Sequence, residues 1–426
     1  GRGSLAAAAV DDAIAGEAAA ARPGPDAFKL DLGPDALDPP DAPDPDPTLD
    51  LGEIAQPDPP DLAAGFDDPP APDLAAALDI SDATDPSLRV YDYDLQRGFF
   101  GGKRENTEDG WFELAIETRR GARPVKPMNK DVVYVIDVSS SIGERWLKAV
   151  NAGVKAALDS LNQGDRFNIV LFSTKVMPFN PQGLVAPTDP NLKKAVQFLD
   201  GAESAGYTDV NKALAQLVRG DPGDDRVYQV IFISDGRPTS GSIGPRKIID
   251  VFTRANDLVA GVYAVAVGDK VNLPLVGSLA YRNKGYVERP ENWAKTTNVV
   301  RDLASRLEKP IVKDATINAA GVDTRRLYPK GPLDIYQGDP LRVRGRFDDD
   351  DKAISVRIVG QNRDQRIVFE QRVAFDRAVE GGRAIADAWA RARANDFTTR
   401  MLTANDAERR GLEAKVDAIG DKYGLW

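Results

Sequence analysis

Four continuous apolar runs constrain this chain more than any other feature of its 426 residues. They are VVYVIDV (132–138), FNIVLFS (167–173), VYQVIFIS (227–234) and GVYAVAVG (261–268), and amphipathic stretches with helical spacing separate them. Strands that are apolar on both faces are typical of a parallel sheet covered by helices on each side. The pattern therefore predicts an α/β fold built on a doubly wound, mostly parallel sheet.

The amino-terminal residues 1–90 have a different composition. They hold 20 acidic residues against 4 basic ones, a net charge of −16, so the rest of the chain sums to +5. Residues 22–86 also contain 15 of the chain's 30 prolines. Because proline removes backbone donors and like charges repel, we expect 1–90 to be a disordered, acidic Pro/Asp/Ala-rich tail or spacer. In the alternative interpretation, its repeated Asp-Leu islands dock on a partner.

Short segments with strand-like alternation flank the α/β section. The segment WFELAIET (111–118) alternates apolar and polar residues, and three similar runs follow between 341 and 375. Two amphipathic stretches, 380–398 and 405–423, then predict helices. The chain is long enough for two or three domains. We expect this division: tail 1–90, first strands 100–127, α/β domain 128–308, later strands 309–376 and terminal helices 377–426.

The composition excludes several function classes. The chain has no Cys and no His, which removes disulfides, thiolate chemistry, a Ser-His-Asp triad and every imidazole metal site. Any metal must then lie among oxygen atoms, which favours Mg²⁺, Mn²⁺ or Ca²⁺. There is no concentrated basic stripe for nucleic acid and no apolar run long enough to span a membrane. The chain starts at Gly1 rather than Met, so we expect a fragment or a processed chain, and an anchor could lie upstream.

Side chains with oxygen donors follow two of the predicted strands. Asp137, Ser139 and Ser141 have D-x-S-x-S spacing after the first strand, and Asp235 follows a later one. Thr208 lies near the start of a predicted helix, after a glycine. In an open parallel sheet ligands bind at the carboxyl ends of the strands, so these residues could face one point. Five oxygen donors with positions left for water suit Mg²⁺ or Mn²⁺ better than Ca²⁺, which usually takes more carboxylates and carbonyls.

Each of these residues also has a simpler interpretation. The serines could cap a helix that starts near Ile142, Thr208 could cap its own helix, and Asp235-Gly236 could form an ordinary turn. A serine nucleophile is disfavoured because there is no His and no S-x-x-K, and a phosphate loop would need glycines and a lysine that are missing. Three unrelated caps and turns in this order on one α/β frame would be unlikely, so the metal site is the favoured interpretation.

The three segments together resemble the metal-ion-dependent adhesion site of von Willebrand factor type A domains. The resemblance covers about 128–308. In that family the two serines and the threonine ligate a cation, the aspartates lie close by, mostly through water, and a carboxylate of the partner completes the shell. By this resemblance the metal residues are Asp137, Ser139, Ser141, Thr208 and Asp235. The commoner family pattern has glycine where this chain has Ser140, and often methionine at Ile142.

The flanking segments resemble the inter-alpha-trypsin inhibitor heavy chain type of protein, particularly bacterial members. The resemblance rests on the strand-rich part after the α/β section, on ADAWARARANDF (386–397) and on the terminal DKYGLW. It implies that strand 111–118 pairs with a strand of 311–375 in one β-sandwich, which the α/β domain interrupts. The amino-terminal domain usual in that family is not recognisable in this sequence.

These observations lead to one functional expectation with two alternatives. We expect a non-enzymatic protein-binding module of adhesion type, which uses Mg²⁺ or Mn²⁺ to grip an Asp or Glu side chain of a partner protein. An extended spacer of 65 residues would reach roughly 200 Å at about 3.1 Å per residue, which suits presentation from a cell envelope or outside the cell. The alternatives are an intracellular subunit that assembles with an ATPase and, less favoured, a metal-assisted hydrolase.

Overall fold

The structure, a computed structural model, describes most of the chain from residue 77 onward. The described residues are 77–91, 110–119, 121–122, 125–217, 223, 225–241, 244–348, 351–401 and 404–424. Residues 1–76 of the predicted tail, and residues 100–109 of the predicted first strands, lie outside them.

A six-stranded sheet forms the centre of the α/β domain, with strand order β6-β5-β4-β7-β8-β9. All neighbouring strands pair in parallel except β6, which runs antiparallel to β5 at one edge. The four apolar runs of the sequence are β4, β5, β7 and β8, so the predicted fold class is confirmed. The strands are β4 (Asn129–Asp137), β5 (Arg166–Phe172), β6 (Val176–Pro178), β7 (Arg226–Ser234), β8 (Ala260–Ala266) and β9 (Val287–Glu288).

Helices cover both faces of this sheet, because the central parts of the strands are apolar on both faces. In β4, Tyr134 and Ile136 pack against α1, α2 and α6 on one face, whereas Val133 and Val135 pack against α3, α4 and α5 on the other. Both sets of side chains are almost fully buried. The helices are α1 (Gly143–Leu158), α2 (Asp189–Asp200), α3 (Val210–Ala215), α4 (Pro245–Asn256), α5 (Leu273–Arg282) and α6 (Trp293–Arg306).

Two further sheets pack face to face as a β-sandwich. One has the order β1-β14-β13-β10-β11 and the other β12-β3-β2-β15, and a single apolar core fills the space between them. The predicted pairing is confirmed, since β3 runs antiparallel to β12 from Leu341↔Ile116 to Phe347↔Gly110. The strands are β1 (Leu78–Asp79), β2 (Thr84–Tyr91), β3 (Gly110–Thr118), β10 (Pro310–Ala320), β11 (Leu333–Tyr336), β12 (Leu341–Phe347), β13 (Ala353–Asn362), β14 (Gln365–Ala374) and β15 (Val379–Glu380).

The predicted tail, 1–90, extends too far toward the carboxyl end. Residues 78–79 and 84–91 are strands, and Leu88 and Tyr91 are buried. The Asp/Pro-rich composition continues through Pro86, so composition alone assigned these short strands to the tail. Proline is tolerated there because β15 pairs with β2 only at Arg89 and Val90, which leaves the Pro86 section of β2 at a sheet edge.

The chain ends in two helices, α7 (Ala384–Met401) and α8 (Asp406–Tyr423). They pack on each other and on β2 and β3 around a cluster that includes Trp111, Trp389 and Tyr423. Both predicted helices are thus present, and the apolar side chains of α8, which are Leu412, Val416, Ile419 and Tyr423, are buried in this cluster. A capping box at Asn405 and Glu408 begins α8. Within the described residues, no helix combines the length and the apolar character that crossing a membrane requires.

Candidate functional site

The five predicted site residues lie at the carboxyl edge of the central sheet. β4 ends at Asp137 and β7 ends at Ser234, directly before Asp235, and these two strands are hydrogen-bonded neighbours. The two aspartates therefore leave the sheet side by side, as expected for ligand sites of open parallel sheets. Asp137, Ser139, Thr208 and Asp235 are each only 1% exposed, whereas Ser141 is exposed to solvent.

Four of the five side chains lie close together. Asp137 Oδ1 accepts a hydrogen bond from the Ser139 backbone N–H at 2.9 Å, and the Ser139 and Ser141 hydroxyl oxygens lie 3.1 Å apart. Ser141 in turn approaches the Asp235 carboxylate closely enough to lower the pKa of Asp235. The structure thus brings the D-x-S-x-S loop and the residue after β7 into one polar cluster.

Thr208 belongs to a third segment that is tied to both of these loops. The Ser140 backbone N–H donates to Gly206 O at 3.0 Å, and Ala205 N donates to Val138 O at 2.7 Å. On the other side, Thr208 N donates to Thr239 Oγ1 at 2.8 Å. The segment with Thr208 is therefore held between the loop after β4 and the loop after β7.

Helix capping does not account for the hydroxyl groups. The N-cap residue of α1 is Ile142, and no side chain makes a capping hydrogen bond there. Helix α3 is capped by Asp209, whose carboxylate accepts from Lys212 N, and not by Thr208. The hydroxyls of the serines and the threonine are thus free of the capping role that would be their simplest explanation.

The turn interpretation of Asp235-Gly236 is partly correct. Asp235 Oδ1 accepts from Arg237 N at 2.9 Å, so Asp235 does shape a turn. Gly236 has a φ of 67°, and a Cβ at this position would lie 2.4 Å from Val276 Cγ2. Glycine is required here both for its backbone conformation and for space. This turn directs the Asp235 carboxylate toward Ser141.

Ser140, which stands where the family pattern more often has glycine, does not strain the loop. Its φ is not positive; the positive φ of this loop is at Gly143, with a value of 73°. The substitution by serine is therefore compatible with the loop conformation.

Burial disfavours the charged form of both carboxylates. Burial raises the pKa of Asp137 to about 6; hydrogen bonds from Ser139 and Ser234 oppose this shift, and the nearby charge of Asp235 adds to it. Burial also raises the pKa of Asp235, against the effects of Ser141 and of Arg237. Within the part of the chain that the structure describes, the hydrogen-bond donors to Asp137 are neutral groups.

The donor set fits a hard divalent cation. Two carboxylates and three hydroxyls supply oxygen donors alone, and a nearby cation would offset the cost of burying two negative charges. Among the described residues, no group of three or more acidic side chains is arranged to hold a metal ion. A cation at this edge would therefore depend on the hydroxyls as much as on the carboxylates.

Two supporting residues were missed by sequence reasoning. Ser234 donates to Asp137 Oδ2 at 2.7 Å and accepts from Gly236 N at 2.9 Å, so it joins the two aspartate loops. Its place beside Asp235 in the S-D-G motif was a usable signal. Thr239, which holds Thr208, carries no such signal, because its role depends on how the loop after β7 folds back.

A family model described as von Willebrand factor type A domain matches residues 130–289. The chain contains a von Willebrand factor type A domain. This A domain is the α/β domain described above. The resemblance to von Willebrand factor type A domains that the sequence indicated is confirmed.

Similar proteins extend the match beyond the A domain. The Homo sapiens inter-alpha-trypsin inhibitor heavy chain H6 is 27% identical over 262 residues, which is 58% of this chain and 20% of that protein. The Mus musculus inter alpha-trypsin inhibitor, heavy chain 4, is 22% identical over 350 residues, which is 78% of this chain and 36% of that protein. The predicted resemblance to this type of protein is confirmed, and the chain spans roughly a third or less of the length of these two relatives.

A solved structure supports the architecture. It is a von Willebrand factor type A protein from Catenulispora acidiphila, with a TM-score of 0.52 and 14% identity, covering 80% of this chain and 87% of that chain. At this identity the likeness shows the fold, and it extends well outside the A domain.

Proposed function

We propose that this chain is a non-enzymatic, divalent-cation-dependent protein-binding module of adhesion type. The cation would be held by Asp137, Ser139, Ser141, Thr208 and Asp235 and would bind an Asp or Glu carboxylate of a partner protein. The observation that carries the proposal is the polar cluster at the carboxyl edge of the sheet, in which two buried carboxylates lie near the uncapped hydroxyls of Ser139 and Ser141, with the segment of Thr208 held between the two loops.

The chemistry of the donors supports Mg²⁺ or Mn²⁺ over Ca²⁺. Ca²⁺ usually takes six to eight oxygens, many of them from carboxylates and carbonyls, whereas Mg²⁺ is commonly held by one or two carboxylates and retains water. The cluster offers two carboxylates and small hydroxyl ligands. An anionic group of a partner could replace one of the waters on such a cation, which explains why binding would need both the cation and an acidic residue.

The acidic, proline-rich composition before the described residues supports a location at the cell envelope or outside the cell. A spacer of this composition would hold the A domain away from a surface and present its cation edge to partners. This location is part of the proposal, as is the acidic partner protein.

Capture of a partner from an envelope extract tests the proposal. We expect the full chain to retain a partner in Mg²⁺ or Mn²⁺, to release it in EDTA, and to lose it in the Thr208→Ala variant. Ser140→Ala is the matched control, because Ser140 lies between the site residues Ser139 and Ser141 and has an exposed side chain. Converting the partner's carboxyl groups to amides should abolish capture. Retention in EDTA, or capture of the amidated partner, would contradict the proposal.

A further inference from the structure

A lysine and two aspartates meet where the A domain contacts the β-sandwich. Lys284 lies between α5 and β9 of the A domain, and its partners are Asp314 of β10 and Asp334 of β11. Lys284 Nζ lies 2.8 Å from Asp314 Oδ1 and 3.4 Å from Asp334 Oδ1. The side chains of Lys284 and Asp334 are each 1% exposed, whereas that of Asp314 is 43% exposed. An amine and a carboxyl group are therefore in contact where water is excluded, beside a second carboxyl group that reaches solvent.

The backbone is unusual at both ends of the shorter contact. Lys284 has a φ of 63° and follows the C-cap residue of α5, a position where glycine is usual. Asp314 has a φ of 53° and lies where β10 shifts its register against both β11 and β13. Such a bulge changes the direction of a side chain, and here the Asp314 carboxylate contacts Lys284. Non-glycine residues in this conformation are costly and concentrate at functional sites.

Burial and charge determine which of the three groups are ionised. Burial raises the pKa of Asp334, although Lys284 opposes this shift. Burial alone would lower the pKa of Lys284, but Asp334 and Asp314 together raise it above its ordinary value. These directions favour a neutral Asp334 carboxyl group beside a Lys284 ammonium whose charge the Asp314 carboxylate balances.

The hydrogen bonds of Asp334 leave its carboxyl group open to attack at the carbon. Its Oδ1 accepts from the Asp314 backbone N–H at 3.0 Å, and this donor would also stabilise negative charge that develops on Oδ1. Its Oδ2 is buried and has no hydrogen-bond partner among the described residues. Oδ2 is therefore the oxygen that can leave.

The buried pair of Lys130 and Asp165 shows what an ordinary ion pair is like in this chain. Asp165 Oδ1 accepts from the Lys130 backbone N–H at 2.9 Å, and Oδ2 accepts from the Asn162 backbone N–H at 2.7 Å as well as from the ammonium. Hydrogen bonds to both oxygens stabilise the carboxylate form, which is a poor electrophile. Asp334 lacks this second set of donors among the described residues.

We propose that Lys284 and Asp334 form an intramolecular amide bond, which ties the A domain covalently to the β-sandwich. The Asp314 carboxylate takes a proton from the Lys284 ammonium, and the resulting amine attacks Cγ of the neutral Asp334 carboxyl group. The Nζ–Cγ bond forms and the Cγ–Oδ2 bond breaks, and the hydroxyl leaves as water with the proton that Asp314 returns. Asp314 then takes the second proton from the nitrogen and releases it to solvent. No oxidant or other reactant is consumed.

Positioning supplies the driving force that this condensation needs. Groups held in reactive geometry behave as if present at very high concentration, up to about 10⁵–10⁸ M, so an amide can form without an activated acyl group. Exclusion of water from Lys284 and Asp334 also protects the bond from hydrolysis. The triad shares no residue with the candidate cation site, and the bond does not depend on the proposed adhesion function.

Mass spectrometry of the denatured full chain tests the bond, because an ion pair does not survive denaturation. We expect a mass lower than that of the sequence by one water molecule. In a tryptic digest, the peptides that contain Lys284 and Asp334 should be joined, with no cleavage after Lys284. Loss of water by cyclisation at an Asp-Gly pair such as Asp235-Gly236 gives the same mass but joins no peptides. Separate Lys284 and Asp334 peptides from the folded, unmodified chain would overturn the proposal.

Two variants test the roles within the triad. Lys284→Arg keeps the positive charge but offers a guanidinium that does not form an amide, so the joined peptide should disappear. Asp314→Asn keeps the size of the side chain and removes the base, so the joined fraction should fall at least tenfold. The Lys130 and Asp165 peptides are the matched control within each digest and should stay separate. Undiminished joining in Asp314→Asn, or equal joining of Lys130 and Asp165, would overturn the proposal.

Discussion

The A domain buries carboxylates in two different ways at its two ends. At the end opposite the candidate cation site, Asp165 receives the Lys130 ammonium at 2.5 Å, and Lys130 also donates to the Ser160 and Glu308 carbonyls at 3.1 Å. At the carboxyl edge of the sheet, Asp137 is as deeply buried, but the hydrogen bonds that the described residues give it come from neutral groups of Ser139 and Ser234.

The difference indicates which end supports the fold and which binds. A buried ion pair with its remaining hydrogen bonds satisfied is a closed unit, and its charge is compensated within the chain. A buried carboxylate with neutral donors keeps its charge uncompensated, and a cation from solution can supply the compensation. The first three of the four predictions that follow test this contrast, the fourth concerns an ion-paired carboxylate of the β-sandwich, and they are given in order of decreasing change in stability.

Breaking the closed pair should have the largest effect. Lys130→Met leaves Asp165 buried without its partner, and we expect the free energy of unfolding to fall by about 3–5 kcal/mol. Denaturant unfolding measures this change. The matched control is Lys155→Met, which breaks the partly exposed Lys155–Asp200 pair and should cost at most about 1 kcal/mol. Equal losses in the two variants would contradict the assignment of Lys130 as a structural residue.

The carboxyl edge of the sheet, in contrast, should make the stability of the chain depend on added cation. With Mg²⁺ or Mn²⁺ at 100 times its dissociation constant, the free energy of unfolding should rise by about 2.7 kcal/mol relative to EDTA. Thermal unfolding in the two conditions measures the shift. An identical Tm in EDTA, in Mg²⁺ and in Mn²⁺ would contradict a cation site at the carboxyl edge of the sheet.

Neutralising Asp137 should change the free energy of unfolding only slightly in EDTA. Asp137→Asn keeps the size of the side chain and removes a buried charge, so we expect unfolding free energy in EDTA to change by less than about 1 kcal/mol. The same variant should lose the response to cation. A loss as large as that of Lys130→Met would show that Asp137 has an internal partner of comparable strength.

The smallest effect concerns Glu113 in the β-sandwich, which is paired with Arg89 and Arg344. Burial alone would raise its pKa, but the two arginines hold the pKa of Glu113 below its ordinary value of 4.5. Its contribution to stability is therefore present above pH 4.5 and is lost as the pH falls through the lowered pKa. We expect the difference in Tm between the unmodified chain and Glu113→Gln to be present at pH 6 and to shrink toward acid. A difference that grows below pH 4.5 would contradict the sign of this shift.

Much of the fold could be predicted because its strands carry a strong local signal. β4, β5, β7 and β8 are apolar on both faces, a pattern that few other structures permit. The short strands β1 and β15 could not be predicted, because each has only two residues, too few to show an alternation of apolar and polar side chains. Such a strand forms only where a neighbouring strand is already in place. Pro86 concealed β2 in the same way, since the edge position that tolerates it exists only in the folded sheet.

The candidate site, like the fold, could be predicted only in part. Asp137, Ser139, Ser141 and Asp235 follow predicted strands, so their convergence could be foreseen from the sheet alone. Ser234 could have been noticed from its place directly before Asp235, whereas the role of Thr239 depends on a contact between loops far apart in the chain.

Calorimetric titration of the EDTA-stripped full chain with Mg²⁺ and with Mn²⁺ tests whether the carboxyl edge of the sheet is a cation site. The unmodified chain and Ser140→Ala should each bind about one equivalent of cation, and Thr208→Ala should bind at least tenfold more weakly while keeping its Tm in EDTA within a few degrees. Binding of neither cation by the unmodified chain, or equal binding by Thr208→Ala, would contradict the account.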